Sequence, residues 1–296
     1  MAFSFWKALG YGVSRVRERP LEAARIWAVD ALVVCAVPAA WVALGVLYQQ
    51  FPSLMYAVIL FSLVPMAIAA LGWLCSESAW ARFLATDRPT PWLPYRLGRD
   101  ESRIFESYAI LGLIMIGIGA LVATPIIIVG TWLNAGGVEL PALVQLMPLL
   151  VTLVIVFFAA RVAVVPMLVV RRQVFSPLTH FTATRPFWLR LGLAFLAAAA
   201  PAYVIAQGLP SLLSPLAGIQ PPAPVHVVMA FPNGWGAWLA TQETLDLPSV
   251  AIALLGLVAY GFGILVLRGV AAHAALNALE QEELDARGAY PASSAG

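Results

Sequence analysis

The stretch RPFWLRLGLAF, residues 185–195, opens with Arg185 and Pro186, mixes aromatics with a second arginine, and runs into an apolar segment reaching residue 213. Arginine and tryptophan settle where a membrane meets water, proline breaks or begins a helix, and about twenty apolar residues cross the hydrocarbon. Arg-Pro occurs at three places, Arg19–Pro20, Arg88–Pro89 and Arg185–Pro186, and each precedes a long apolar region. This recurrence predicts an all-α, polytopic membrane protein: cytoplasmic interfacial amphipathic helices alternating with transmembrane helices.

Composition agrees. Of 296 residues, 61% are hydrophobic and only 11% charged, against about 25% charged in a soluble domain, and the mean hydropathy is +0.87. Six transmembrane helices can be drawn, over 31–48, 54–74, 108–132, 143–164, 191–213 and 250–267, each long enough to span the bilayer. Pro38, Pro65, Pro125, Pro148 and Pro201 fall within them and predict kinks. A net charge of +2 gives no reason to expect nucleic acid. Cys35 and Cys75 lie in or beside apolar spans and read as small buried hydrophobes. The first twenty residues are amphipathic without the short apolar core of a signal peptide, so the first span is expected to carry the targeting signal.

All seventeen Lys and Arg residues lie before span one, between spans two and three, within or after span four and before span five, or from the end of span six onward. The other three connections contain Glu139, Glu243 and Asp246 but no base. Short basic loops stay inside, which predicts a multi-pass protein of the bacterial inner (plasma) membrane with both termini cytoplasmic. The expected organisation is one six-helix domain over 1–279, with an N-terminal amphipathic segment (1–28), an outer-face loop (214–249) and a flexible cytoplasmic tail (280–296).

In residues 5–16, Phe5, Trp6, Leu9, Val13 and Val16 share one helical face opposite Lys7, Ser14 and Arg15, as in a helix lying along a headgroup layer. Residues 80–99 and 171–190 repeat the mixture of aromatics and arginines. Arg19, Arg88, Arg171, Arg172, Arg185 and Trp188 are thus expected to anchor lipid headgroups. Arg161 stands apart, because residues 140–160 before it carry no charge and Pro166 follows. That spacing favours an inner-interface position with a broken helix after Pro166 over a mid-depth one. In either place the charge needs an acceptor. Glu106 is the expected partner, with Asp30 as the other candidate acid and Arg268 as a competitor for both.

The second half, FFAARVAVVPMLVVRRQVFSPLTHFTATRPFWLRLGLAF, resembles the glycerophosphoryl diester phosphodiesterase membrane-domain family and related inner-membrane proteins. Arg161, Pro166, Thr184, Arg185, Phe187 and Trp188 occupy its pattern of an arginine-bearing helix, a proline, a short loop and a Thr-Arg-x-Phe-Trp stretch. The sequence departs from that pattern at Arg171–Arg172, where relatives often carry an acidic residue. The resemblance implies a helical membrane module without the phosphodiesterase domain.

His180, His226 and His273 have no spacing suited to a metal, and no nucleophile triad, phosphate loop or paired carboxylates can be drawn. The function expected is therefore non-catalytic, with no cofactor and no metal. The protein would organise or stabilise membrane lipid, preferably anionic, or a membrane protein partner. The alternative is a small transporter or channel built from kinked helices.

Overall fold

The computed structural model describes residues 3–51, 63–87, 91–135, 154, 156–201 and 247–286. Their regular structure is entirely helical, without a strand among the described residues. In chain order the helices are α1 (Phe5–Glu18), α2 (Pro20–Gln50), α3 (Leu63–Ala85), α4 (Arg99–Ala135), α5 (156–162), α6 (Val165–Arg172), α7 (Pro177–Thr182), a 3-10 turn (Arg185–Phe187), α8 (188–201) and α9 (Leu247–Ala286). Residues 214–246 of the expected outer-face loop and the Arg88–Pro89 pair lie outside the described residues, and residues 247–249, expected to end that loop, are the first turn of α9.

Proline placement explains most helix starts. The N–H of Arg19 closes α1 on the Arg15 carbonyl, and its own carbonyl opens α2 by accepting from Ala23. Pro20, which has no N–H to satisfy, fits the first helical position. Prolines likewise stand in the first turns of α6 and α7 and in the 3-10 turn before α8. Ala163 and Val164 form the break expected between Arg161 and Pro166. At the other end of α6, Gln173 adopts a left-handed φ of 57° and returns its N–H to the Val169 carbonyl.

The hub is α3, which packs against α2, α4, α6 and α9. Its two halves face different surroundings. Leu63, Val64, Met66, Ile68, Leu71 and Trp73 are exposed, whereas Trp80, Phe83 and Leu84 are buried against Val165, Met167, Leu168 and the alanines of α9. Among the described residues, two helices are long and apolar enough to cross a membrane, α3 and the Gly261–Ala286 part of α9.

Two features differ from expectation. The first concerns α1, which docks on α9. Its buried residues are Ala8 and Gly12, while Trp6 is 79% exposed. A Cβ on Gly12 would stand 2.6 Å from the Leu265 carbonyl oxygen, and one on Gly269 would stand 2.5 Å from the Gly12 nitrogen. Small residues thus bring two backbones into contact at the edge of the apolar stripe read in the sequence, and Phe5, Leu9 and Val16 of that stripe pack against the core instead of facing outward. The second is that α9 continues to Ala286. Residues 280–286, expected within a flexible tail, are helical, and Glu282 is ion-paired to Arg172. Residues 287–296 lie outside the described residues.

Candidate functional site: an arginine network around one helix

A helix leaves its last four carbonyls without intrahelical donors and carries partial negative charge there. At the end of α3, Tyr11 donates its hydroxyl to the Leu84 carbonyl at 3.0 Å, and Arg171 donates to Ala85 at 3.3 Å. Arg15 and Arg19 both donate to the Thr86 carbonyl, at 3.1 and 3.3 Å. Donors from α1, from the α1–α2 junction and from α6 therefore close one helix end. Arg15 also pairs with Glu18 and Asp87, and Arg19 with Glu22. Burial lifts the Tyr11 hydroxyl above its ordinary range, with the Arg15 charge opposing.

One turn earlier, Arg82 donates to Ser78 and to Glu101, each at 2.6 Å, and to the Pro94 carbonyl at 3.0 Å. Asp100 lies 3.7 Å away. Glu101 is 1% exposed. Burial alone would raise its carboxyl, but hydrogen bonds from Ser78 and Arg82 outweigh that and hold it below the usual carboxylate range. Gln173 continues the network by donating to Asp100 at 3.0 Å and accepting from Arg103 at 3.2 Å.

A third cluster joins α2, α3 and α9. Arg268 donates through Nε and Nη2 to Glu77, at 3.0 and 2.5 Å, and through Nη2 to Ser76 at 3.0 Å. Its Nη1 is 3.9 Å from Asp30. Asp30 accepts from the Trp80 indole at 2.8 Å and from the Tyr95 hydroxyl. Burial, and then the Asp30 charge, push the Tyr95 hydroxyl well above its ordinary range. The Arg268 guanidinium lies 5.6 Å from the Trp80 ring centre. Two of the residues expected from the sequence, Asp30 and Arg268, are thus brought together. Glu77, Trp80 and Tyr95, which supply most of the contacts, were not read from the sequence. Glu77 did carry a signal, as an acid just past the end of an expected span.

The expected pair of Arg161 and Glu106 is not formed. Glu106 is exposed and accepts from Ser102 at 2.9 Å. Arg161 donates to the Phe181 carbonyl at 2.8 Å and the Thr184 hydroxyl at 3.2 Å, with its guanidinium 3.8 Å from the Phe181 ring centre. The reason is the break at 163–164: α7 folds back beside Arg161 and offers a last-turn carbonyl, while Glu106 sits on the outward face of α4.

Among the expected headgroup anchors, Arg19 and Arg171 point at the α3 carboxyl end, and Arg172 is ion-paired to Glu282. Arg88 lies outside the described residues. Arg185 and Trp188 are exposed. Arg185 also borders a cleft of about 590 Å³, with Thr179 and Thr182 on one wall and Glu282 and Asp285 on the other.

His180 is buried, with neither ring nitrogen hydrogen-bonded among the described residues. Burial, and then the Arg172 charge, push it down to about 4. His273 packs against the rings of Phe3 and Tyr11, 5.6 and 5.8 Å away. His226 lies outside the described residues. No group of three metal-ligating side chains occurs among the described residues. The arrangement can hold helix ends together and present guanidinium donors. Compared with protein-family models, curated proteins and solved structures, the chain matches none.

Proposed function

We propose that this is a non-catalytic, six-span protein of a bacterial inner membrane, with both termini cytoplasmic, that organises or stabilises lipid or a membrane protein complex. The observation that carries this reading is a division among the arginines. Arg15, Arg19, Arg82, Arg172 and Arg268 each have a carboxylate partner inside the fold, whereas Arg185 stands exposed beside an exposed Trp188. Arginine and tryptophan together on one rim suit the boundary between headgroups and acyl chains. The exposed apolar half of α3 suits hydrocarbon better than water, which rarely borders so large an apolar patch. Within the same proposal, the stretch from Phe157 to Phe195 belongs to a membrane module akin to the glycerophosphoryl diester phosphodiesterase membrane domain.

Extraction into lipid nanodiscs, followed by mass spectrometry of what co-purifies, tests the reading. A stoichiometric protein partner or an enriched anionic lipid supports it. Lipid of bulk composition with no partner contradicts it. The Asp30–Glu77–Arg268 cluster favours a second reading, a small transporter, because ionisable groups grouped within a helical membrane bundle often mark an ion or substrate path. Uptake into proteoliposomes that is abolished in Glu77→Gln would favour this second reading.

A further inference from the structure

We propose that Arg161 and Arg185 form an inner-leaflet site for the phosphodiester headgroup of an anionic phospholipid, with acyl chains lying along Trp188, Leu189 and Leu193. The proposal rests on the lipid-organising reading above and deepens it to a place and a ligand.

The first ground is charge. Arg161 and Arg185 have no carboxylate partner among the described residues, in contrast to the arginines of the α3 network. Arg161 donates through Nε to Thr184, the residue before Arg185, and burial first and then the like charge of Arg185 lower its pKa. Two guanidinium groups set on either side of Thr184, neither ion-paired among the described residues, leave positive charge that a phosphodiester anion neutralises, and guanidinium donors match phosphate oxygens. Asp285 and Glu282 line the far wall of the cleft beside Arg185, and Glu282 is already held by Arg172.

The second ground is orientation. The Phe181 carbonyl and the Thr184 hydroxyl hold two of the three Arg161 nitrogens, and the guanidinium lies against the Phe181 ring. Thr184 is buried and donates its own proton to the Phe181 carbonyl at 3.2 Å, so its oxygen is set to accept from Arg161. Thr184 is thus a positioning residue. Nη1 of Arg161 has no partner among the described residues, and it is the nitrogen left to donate to a ligand.

The third ground is the neighbouring surface. Trp188, Leu189 and Leu193 are all exposed. The Trp188 ring is braced on Phe157 at 5.7 Å, and Phe157 in turn fills the space above Gly192. A charged spot bordered by a fixed aromatic and two leucines fits a molecule with an anionic head and apolar chains. Free phosphate would use only the first part. An anionic lipid uses both, and it supplies the net negative charge that a zwitterionic lipid lacks.

The test uses the full-length protein in detergent, titrated with phosphatidylglycerol or phosphatidylcholine and read by native mass spectrometry, with and without excess inorganic phosphate. Arg185 is exposed and holds no helix end, so Arg185→Gln probes the site without unfolding the chain. Arg17→Gln, an exposed arginine on α1, removes the same charge elsewhere. The wild type is expected to prefer phosphatidylglycerol, with binding weakened about fivefold in Arg185→Gln and unchanged in Arg17→Gln. Thr184→Val is expected to weaken it too, while Thr184→Ser retains it. Equal weakening by Arg185→Gln and Arg17→Gln would mean diffuse attraction and would overturn the site while leaving the lipid reading standing. No preference between the two lipids would overturn both. Displacement of phosphatidylglycerol by inorganic phosphate would overturn the assignment to lipid.

Discussion

A buried guanidinium keeps its charge at any accessible pH, so each one in this bundle must be met by acceptors. Arg268 is the clearest case, since Glu77 and Asp30 both depend on it. Replacing Arg268 with Leu leaves two carboxylates without their cation. Loss of one partner from such a pair costs about 3–5 kcal/mol, which should appear as a large drop in the thermal midpoint in detergent. Adding Glu77→Gln to that variant should restore part of the loss, and strict additivity would contradict the pairing. His180 behaves in the opposite way, because its ring is buried neutral. The folded state keeps it unprotonated down to about pH 4, whereas an unfolded histidine takes up its proton near the ordinary value of 6.5. Its contribution to stability is therefore complete above 6.5 and is lost as pH falls from there to about 4. His180→Leu should flatten the acid limb of a melting-temperature profile over that window, with little change at neutral pH. A profile identical to wild type would show that the ring does not titrate there.

At the scale of elements, α1 is held both by the crossing of two glycines and by Phe5, Leu9 and Val16 of its apolar stripe, which pack against the core. Gly12 faces the Leu265 carbonyl and the Gly269 backbone, which cannot move aside, whereas Gly10 has open space around it. Gly12→Leu should displace α1 and expose the segment near Glu18 to protease, at a cost of about 1–3 kcal/mol. Gly10→Ala should be neutral or stabilise slightly, since alanine loses less entropy on helix formation. Equal protease resistance in the two variants would remove the crossing from the account. This contact also marks the limit of what the sequence makes legible. Periodicity reports greasy residues, and a glycine beside them has no greasy signal, so the stripe through Phe5 and Leu9 could be read while the backbone contact at Gly12 could not. Arg161 illustrates the same limit: its real acceptor is the carbonyl of Phe181, and a backbone carbonyl belongs to every residue alike. Asp30 and Arg268 were legible because a lone charge at the end of an apolar run has few places to go.

For the whole molecule, the helical class and the helix starts at Pro20, Pro166 and Pro186 followed from hydropathy and proline placement. The assembly of Tyr11, Arg15, Arg19 and Arg171 around one helix end did not, because it joins residues up to 160 positions apart along the chain. The assembly does fit the charge asymmetry: the basic segments that the positive-inside rule puts on one side are those that close the α3 carboxyl end. The central claim is that this basic, densely packed half of the bundle is the cytoplasmic half of a six-span protein. The most direct measurement is the labelling of single cysteines by a membrane-impermeant thiol reagent in intact cells and in inverted vesicles, in a background where Cys35 and Cys75 are replaced. Positions 17, 99 and 296 should label only in inverted vesicles, and position 233 only in intact cells. Labelling of 233 from the same side as 17 would contradict the topology, and with it the assignment of the arginine network to the inner face.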